Sequence, residues 1–161
     1  MSAYRFAPAR LLATCAVVLG LATTMFTGSV LGPTTSGASA AMLTAAKGNA
    51  AADWARTRKG SPYRYGAVGP HRFDCSGLTR WAYARVGKSL PHSSSAQTSR
   101  VNRIKPGNAR RGDLVFFYGY GGVYHVAIYA GHGYIWHAPH SGTRVRRDHI
   151  WTSSVFFGRV K

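Results

Sequence analysis

The order of helix-forming and strand-forming segments constrains the fold of this chain most strongly. Three segments favour helices: residues 41–58, interrupted or frayed near Gly48-Asn49, residues 75–86, and a short stretch around 94–99. Five short aromatic and β-branched segments follow, and glycine-rich turns separate them, which predicts antiparallel strands at 113–118, 123–130, 134–137, 143–146 and 155–160. Helices followed by strands predict an α+β fold in which the N-terminal helices pack on a small antiparallel β-sheet.

The N-terminal segment is different in kind from the rest. Two arginines precede the apolar residues 11–31, and an Ala-Ser-Ala sequence follows at 38–40. This order is typical of a secretory signal peptide. A membrane anchor is the alternative, but the strongest apolar run, 11–22, is short for a span. We therefore predict a signal peptide over residues 1–40, a single catalytic domain over residues 41–161, and a secreted or wall-associated protein without stable membrane insertion.

The charge balance excludes several classes of function. The chain has 21 Lys and Arg but only 4 Asp and Glu. Paired carboxylates for a glycosidase, or clusters of acids for calcium or magnesium, are therefore not expected. Removal of the two arginines of the signal would leave 19 basic and 4 acidic residues, a formal charge of +15. That charge predicts attraction to anionic polymers and disfavours self-association, so we expect a monomer. The basic residues are scattered, which argues against nucleic-acid binding.

Cys75 is the one cysteine of the predicted mature chain, because Cys15 lies within the signal peptide. An exported protein with one cysteine cannot form an internal disulfide, so this thiol is either a buried structural group or a reactive one. Its predicted position is the first turn of a helix, directly after Asp74. Backbone N–H groups and the helix dipole favour a thiolate there. A cysteine nucleophile is therefore one hypothesis, and a structural thiol is the other.

A thiol nucleophile needs a base and a group that orients the base. Of seven histidines, His125 lies within an apolar strand pattern and His137 ends the next strand. A two-residue loop at 131–132 would place the two rings on opposite faces of the sheet. A three-residue loop at 131–133, or a β-bulge, would place them on the same face. The residue pattern alone leaves both possibilities open.

Other chemistries have weaker support. His137 and His140 have the His-x-x-His spacing of zinc ligands, but no further cysteine or carboxylate motif accompanies them. The glycine-rich residues 119–122 lack the Gly-Lys-Ser/Thr of a phosphate-binding loop, and no Gly-x-Ser-x-Gly elbow occurs. We therefore expect neither a metal nor a cofactor.

Several segments together resemble a known family. In chain order they are GSPYRYG at 60–66, FDCSGL at 73–78, LPHSSSAQ at 90–97, RGDLVFF at 111–117, HVAIY at 125–129 and IWHAP at 135–139. They are similar to the NlpC family of papain-like bacterial cell-wall cysteine endopeptidases, and the likeness covers roughly residues 59–147. Departures are Tyr65 where the family usually has Trp, Ala67 where a second Gly is common, and His92 in place of a common Arg.

The resemblance implies a circularly rearranged papain-like fold. It implies that Cys75 is the nucleophile, His125 the base and His137 the residue that orients His125. The hydroxyl of Tyr63 and the backbone N–H of Cys75 would form the oxyanion hole. With these roles, the two histidines must share a face, so we predict the odd loop or the bulge.

The resemblance also implies a substrate. Asp74 and Ser76 match positions that help to recognise the substrate peptide. The family commonly cuts peptidoglycan stem peptides between D-γ-glutamate and the following diamino acid, and the cationic chain would also bind anionic wall polymers. Two alternatives stay open: a papain-like N-acetylmuramoyl-L-alanine amidase, and a non-catalytic cationic protein that binds the cell wall.

Overall fold

Residues 35–161 form a six-stranded antiparallel sheet with helices packed on one face, which confirms the predicted α+β class. A computed structural model describes residues 35–161. The sheet order is β1-β6-β2-β3-β4-β5. The elements are α1 (Thr35–Thr57), α2 (Cys75–Ala84), α3 (Ser94–Gln97), β1 (Val101–Ile104), β2 (Leu114–Gly119), β3 (Gly122–Gly131), β4 (Tyr134–His137), β5 (Arg146–His149) and β6 (Val155–Val160).

The predicted signal peptide falls almost entirely outside the described residues. Helix α1 begins at Thr35 and runs without a break through the predicted cleavage point at Ala40. Within residues 35–161, no helix combines the length and the apolar character that crossing a bilayer requires.

The apolar core has two parts, one on each face of the sheet. The larger part joins α1 and α2 to the sheet, and small side chains on α1 allow close packing of the helix; its members include Ala51, Ala55, Leu78, Phe116, Val126 and Ile128. The smaller part lies on the opposite face and contains Val115, Phe117, Ala127, Ile135 and Phe157. Burying a large apolar side chain contributes about 1.5–3 kcal/mol, so these contacts fix the sheet on which the site is built.

The predicted break of α1 at Gly48 is wrong. The helix lies close to the segment before β2 here, because a Cβ at Gly48 would lie 3.3 Å from Arg111 O and one at Gly112 would lie 2.2 Å from backbone atoms of Gly48. Nearby, the guanidinium of Arg111 donates to both carboxylate oxygens of Asp53, at 2.7 and 3.1 Å. The start of β2 is thereby tied directly to the first helix.

The predicted strand at 143–146 is displaced, since β5 begins only at Arg146. Residues 143–145 pair instead with the segment that precedes the cysteine. Gly60 N donates to Val145 O at 2.9 Å, and Tyr63 N donates to Thr143 O at 2.9 Å. Strand β1 was not predicted, because its sequence is polar and only its first residue is buried.

The β3–β4 hairpin contains the bulge that the shared-face arrangement requires. Tyr129 pairs with Ile135 and Gly131 with Tyr134, so Ala130 is an extra residue in β3. The loop is the two-residue turn His132-Gly133, whose φ values of 53° and 76° suit a tight hairpin. The bulge alternative is therefore confirmed, and the three-residue loop is not used.

Candidate active site

Cys75 is the first residue of α2, and Asp74 is its N-cap, as the sequence predicted. The Asp74 carboxylate accepts from Gly77 N at 2.6 Å and from Ser76 Oγ at 3.1 Å. It also accepts from Gly66 N at 2.9 Å. One buried carboxylate thus holds both the helix start and the preceding loop, which fixes the backbone on either side of the thiol.

The loop before Cys75 lies directly against α2. Asp74 N donates to Ala67 O at 2.9 Å. A Cβ added at Gly77 would lie only 2.0 Å from that same carbonyl oxygen, so glycine is required for the close approach. The backbone of Tyr63 forms an isolated β-bridge with that of Phe73. Tyr63 and Cys75 are both partly buried and pack against the larger core.

The two predicted histidines lie together, and both are buried. His125 on β3 has Nε2 at 3.0 Å from Nδ1 of His137 on β4. On its other side, Nε2 of His137 lies 2.9 Å from Asp148 Oδ2. Arg146 Nε donates to the same oxygen at 2.6 Å. A continuous polar chain therefore runs from His125 to the β5 edge of the sheet.

A cleft of about 430 Å³ opens beside the thiol. The predicted oxyanion and substrate residues share it, and its lining includes Tyr63, Tyr65, Asp74, Cys75, Ser76, His92 and Tyr124. His125 lines a smaller neighbouring pocket with Trp151. The backbone N–H of Val126, the residue after His125, lowers the pKa of the Cys75 thiol, so the start of α2 lies close to β3 at this point.

Burial dominates the electrostatics of the site. It raises the pKa of the Cys75 thiol, although the N–H groups of Val126 and Ser76 act in the opposite direction. The N–H groups at the helix start therefore favour the thiolate, as expected, but burial outweighs them. Burial, and then the proximity of His137, lower the pKa of His125 to about 3. Both shifts favour the neutral thiol and the neutral imidazole.

Opposing effects also act on the pKa values of His137 and Asp148. Burial lowers the pKa of His137, and the hydrogen bond and charge of Asp148 oppose that shift. Burial tends to raise the pKa of Asp148, but hydrogen bonds from Arg146 and His137 outweigh it and lower the pKa. At neutral pH, a neutral His137 therefore lies against an ionised carboxylate.

Two contacts of the site were missed from the sequence. Asp148 was visible only as one of four acids, and its strand was predicted three residues too early. His92 was noted as a departure from the family pattern, but its partner was not foreseen. Its Nε2 lies 2.8 Å from Asp74 Oδ2, at the rim of the cleft.

No group of three potential metal ligands occurs among residues 35–161. His137 contacts His125 and Asp148, while the Nδ1 of His140 faces the carbonyl of Ser141 at 2.9 Å. Each of these two rings therefore has hydrogen-bond partners of its own.

Comparisons with known proteins identify relatives of this chain. A probable endopeptidase of Corynebacterium glutamicum is 50% identical over 99 residues, which are 62% of this chain and 46% of that protein. The bifunctional muramidase/DL-endopeptidase CwlT of Bacillus subtilis is 39% identical over 117 residues, which are 64% of this chain and 33% of that protein. The chain thus spans less than half the length of either relative.

A solved structure shows the same fold. The NlpC/p60 domain of the peptidoglycan hydrolase SagA has a TM-score of 0.64 and 36% identity, and the match covers 71% of this chain and 98% of that one. The papain-like fold implied by the sequence motifs is therefore confirmed. The model of the NlpC/P60 family matches residues 60–157, which contain the cleft and both histidines. The chain belongs to the NlpC/P60 family.

Proposed function

We propose that this chain is an exported cysteine endopeptidase that hydrolyses peptidoglycan stem peptides. The observation that carries the proposal is the 3.0 Å contact of His125 with His137, together with a pocket at His125 that shares Tyr124 with the cleft lined by Cys75. A nucleophile, a base and a group that orients the base are the three parts that thiol catalysis needs. Relatives named endopeptidase, and a structural relative named peptidoglycan hydrolase, support this substrate class.

The reaction begins from the neutral pair. As Sγ of Cys75 attacks the peptide carbonyl, its proton moves to His125, and an oxyanion develops on the carbonyl oxygen. The Cys75 backbone N–H and the Tyr63 hydroxyl stabilise this charge, and one such donor lowers the barrier by about 3 kcal/mol. The C–N bond then breaks, and the imidazolium of His125 gives its proton to the leaving amine.

The second half of the reaction releases the enzyme. Water attacks the thioester, His125 accepts one proton from that water, and the C–S bond breaks. The thiolate recovers the proton from His125, and the product leaves with a new carboxylate. Proton transfer within the pair creates both charges together, so each new charge is stabilised by the other.

The proposed bond lies between D-γ-glutamate and the diamino acid of the stem. The DL-endopeptidase activity in the name of the Bacillus relative supports this choice. Asp74 and Ser76 lie at the cleft, and we propose that they help to orient the peptide. The excess of 21 basic over 4 acidic residues would concentrate the protein on anionic wall polymers, most strongly at low salt.

The test is digestion of purified peptidoglycan, and of a defined stem tetrapeptide, with protein recovered from the medium of an expressing bacterium. Mass spectrometry identifies the products, and N-terminal sequencing tests cleavage after Ala40. The proposal predicts release of L-Ala-D-Glu by the unmodified protein and none by Cys75→Ala. His125→Ala is expected to be inactive, whereas His71→Ala, at an exposed position outside the cleft, retains activity.

Other outcomes favour the alternatives. Intact stem peptides freed from glycan would identify an amidase instead. Equal product from the unmodified protein and Cys75→Ala would exclude the thiol mechanism. Wall binding without any product would favour the cationic binding protein.

A further inference from the structure

We propose that Asp148 is a positioning residue that sets the proton positions on both catalytic histidines. The inference rests on the proposed function, because it concerns how the base of that reaction is prepared. It follows from one chain of contacts, in which Asp148 lies 2.9 Å from His137 and His137 lies 3.0 Å from His125.

The carboxylate determines which nitrogen of His137 carries the proton. An ionised carboxylate can only accept hydrogen bonds, so Nε2 of His137 must carry the hydrogen that Asp148 accepts. A neutral imidazole has one N–H, so Nδ1 of His137 is then a bare acceptor. That nitrogen is the one that faces His125.

The same logic extends one ring further. Because Nδ1 of His137 accepts, Nε2 of His125 must donate, and Nδ1 of His125 is left without a hydrogen. This unprotonated Nδ1 is the atom able to take the proton of a thiol. A single carboxylate, two rings away, thus keeps the base in its reactive tautomer.

Three features hold the contacts among His125, His137 and Asp148 in place. Arg146 binds the same Asp148 oxygen at 2.6 Å, and Asp148 lies opposite Ile135 in the β4–β5 ladder. Trp151 lies over both rings, with its centroid 5.4 Å from that of His137 and 6.0 Å from that of His125. The buried rings therefore have few other hydrogen-bond partners, and the carboxylate decides their tautomers.

Asp148→Asn is the informative change, because its amide can donate as well as accept. If the new side-chain amide donates to Nε2 of His137, both rings adopt the opposite tautomer, and a hydrogen then occupies Nδ1 of His125. The matched control is Asp53→Asn. Asp53 is likewise paired with arginines, but it lies on α1 and does not line the cleft. Both changes alter the net charge by the same amount.

The first readout needs no catalysis. Nitrogen-15 NMR of the histidine side chains in the secreted protein is expected to show His125 and His137 both protonated at Nε2. Asp53→Asn keeps that pattern, and Asp148→Asn shifts it toward Nδ1. A proton on Nδ1 of His125 in the unmodified protein would overturn the proposal, whether or not any variant folds.

The second readout is kinetic. Asp148→Asn is expected to lower kcat on the stem peptide by about 10–100-fold, as for other partners that orient a functional imidazole, with KM changed less than about 2-fold. Asp148→Glu, which keeps the charge, recovers part of that loss. The acid limb of the pH profile moves to lower pH in Asp148→Asn, because the charge that stabilises the imidazolium is gone. His137 also faces Arg146 and His140, and neither is altered in these variants.

The two proposals fail in different ways. If the unmodified protein releases no product, the proposed function is wrong. The role of Asp148 is then still tested by the NMR pattern and by the rate at which iodoacetamide alkylates Cys75. If product is released but Asp148→Asn matches Asp53→Asn in kcat and pH profile, the role assigned to Asp148 is wrong.

Discussion

Replacement of Gly77 by alanine tests how the cleft is held together. The new Cβ would lie 2.0 Å from Ala67 O, whereas real Cβ contacts are longer than 3.0 Å. The loop before Cys75 must therefore retreat by at least about 1 Å. That movement breaks the 2.9 Å hydrogen bond from Asp74 N to Ala67 O and crowds the cap that Asp74 makes to Gly77 N.

Opposing effects set the size of the change. Alanine in place of glycine favours a helix by about 1 kcal/mol. Overpacking costs about 1–3 kcal/mol, and the broken hydrogen bond and weakened cap cost about 1 kcal/mol each. The expected net loss is about 2–4 kcal/mol, which lowers Tm by roughly 8–16 °C for a domain of this size. Because a displacement of about 1 Å near a reacting centre can reduce rates about 100-fold, kcat/KM falls as well.

Calorimetry and the stem-peptide assay measure both effects. Gly107→Ala is the matched control, since a Cβ there meets nothing within 4 Å, and it is expected to behave like the unmodified protein. A Gly77→Ala protein that melts at the unmodified Tm with full activity would refute the packing argument.

Three further predictions concern the same region. Because the pKa of His125 is lowered to about 3 and that of Cys75 is raised, the acid limb of kcat/KM is expected well below pH 6.5 and the alkaline limb above pH 9.0; an acid limb near pH 6.5 contradicts the neutral resting pair. Tyr63→Phe is expected to lower kcat about 100-fold with little change in KM, and full activity in steady-state assays would exclude an oxyanion role. Gln97→Ala removes a fully buried amide with three hydrogen-bond partners, so urea unfolding is expected to show a loss of about 3 kcal/mol; a loss below about 1 kcal/mol contradicts that reading.

Local patterns in the sequence predicted the parts of the fold that depend on local chemistry. The start of α2 at Cys75 follows from the capping preference of Asp74, and strand β4 was predicted with its observed bounds. The site residues Cys75, His125 and His137 were selected from a lone thiol, an apolar strand and the family motifs.

What could not be predicted depends on pairing between distant segments. Residues 143–145 have strand-like composition, but the partner they pair with is the loop at 60–63. Asp148 has no local signal, because its importance arises only when β5 places it beside His137. The bulge at Ala130 was one of two open alternatives, and composition alone does not distinguish a bulge from a longer turn.

Strand β5 is the last strand of the sheet and has a single neighbour, β4. Edge strands open locally at a smaller free energy than strands in the middle of a sheet, so their amides exchange with solvent earlier. The Asp148 carboxylate therefore lies in a segment of low local stability, while Cys75, the proposed nucleophile, starts a helix packed on the core. As denaturant or temperature rises, turnover is expected to disappear before the circular dichroism of the fold does.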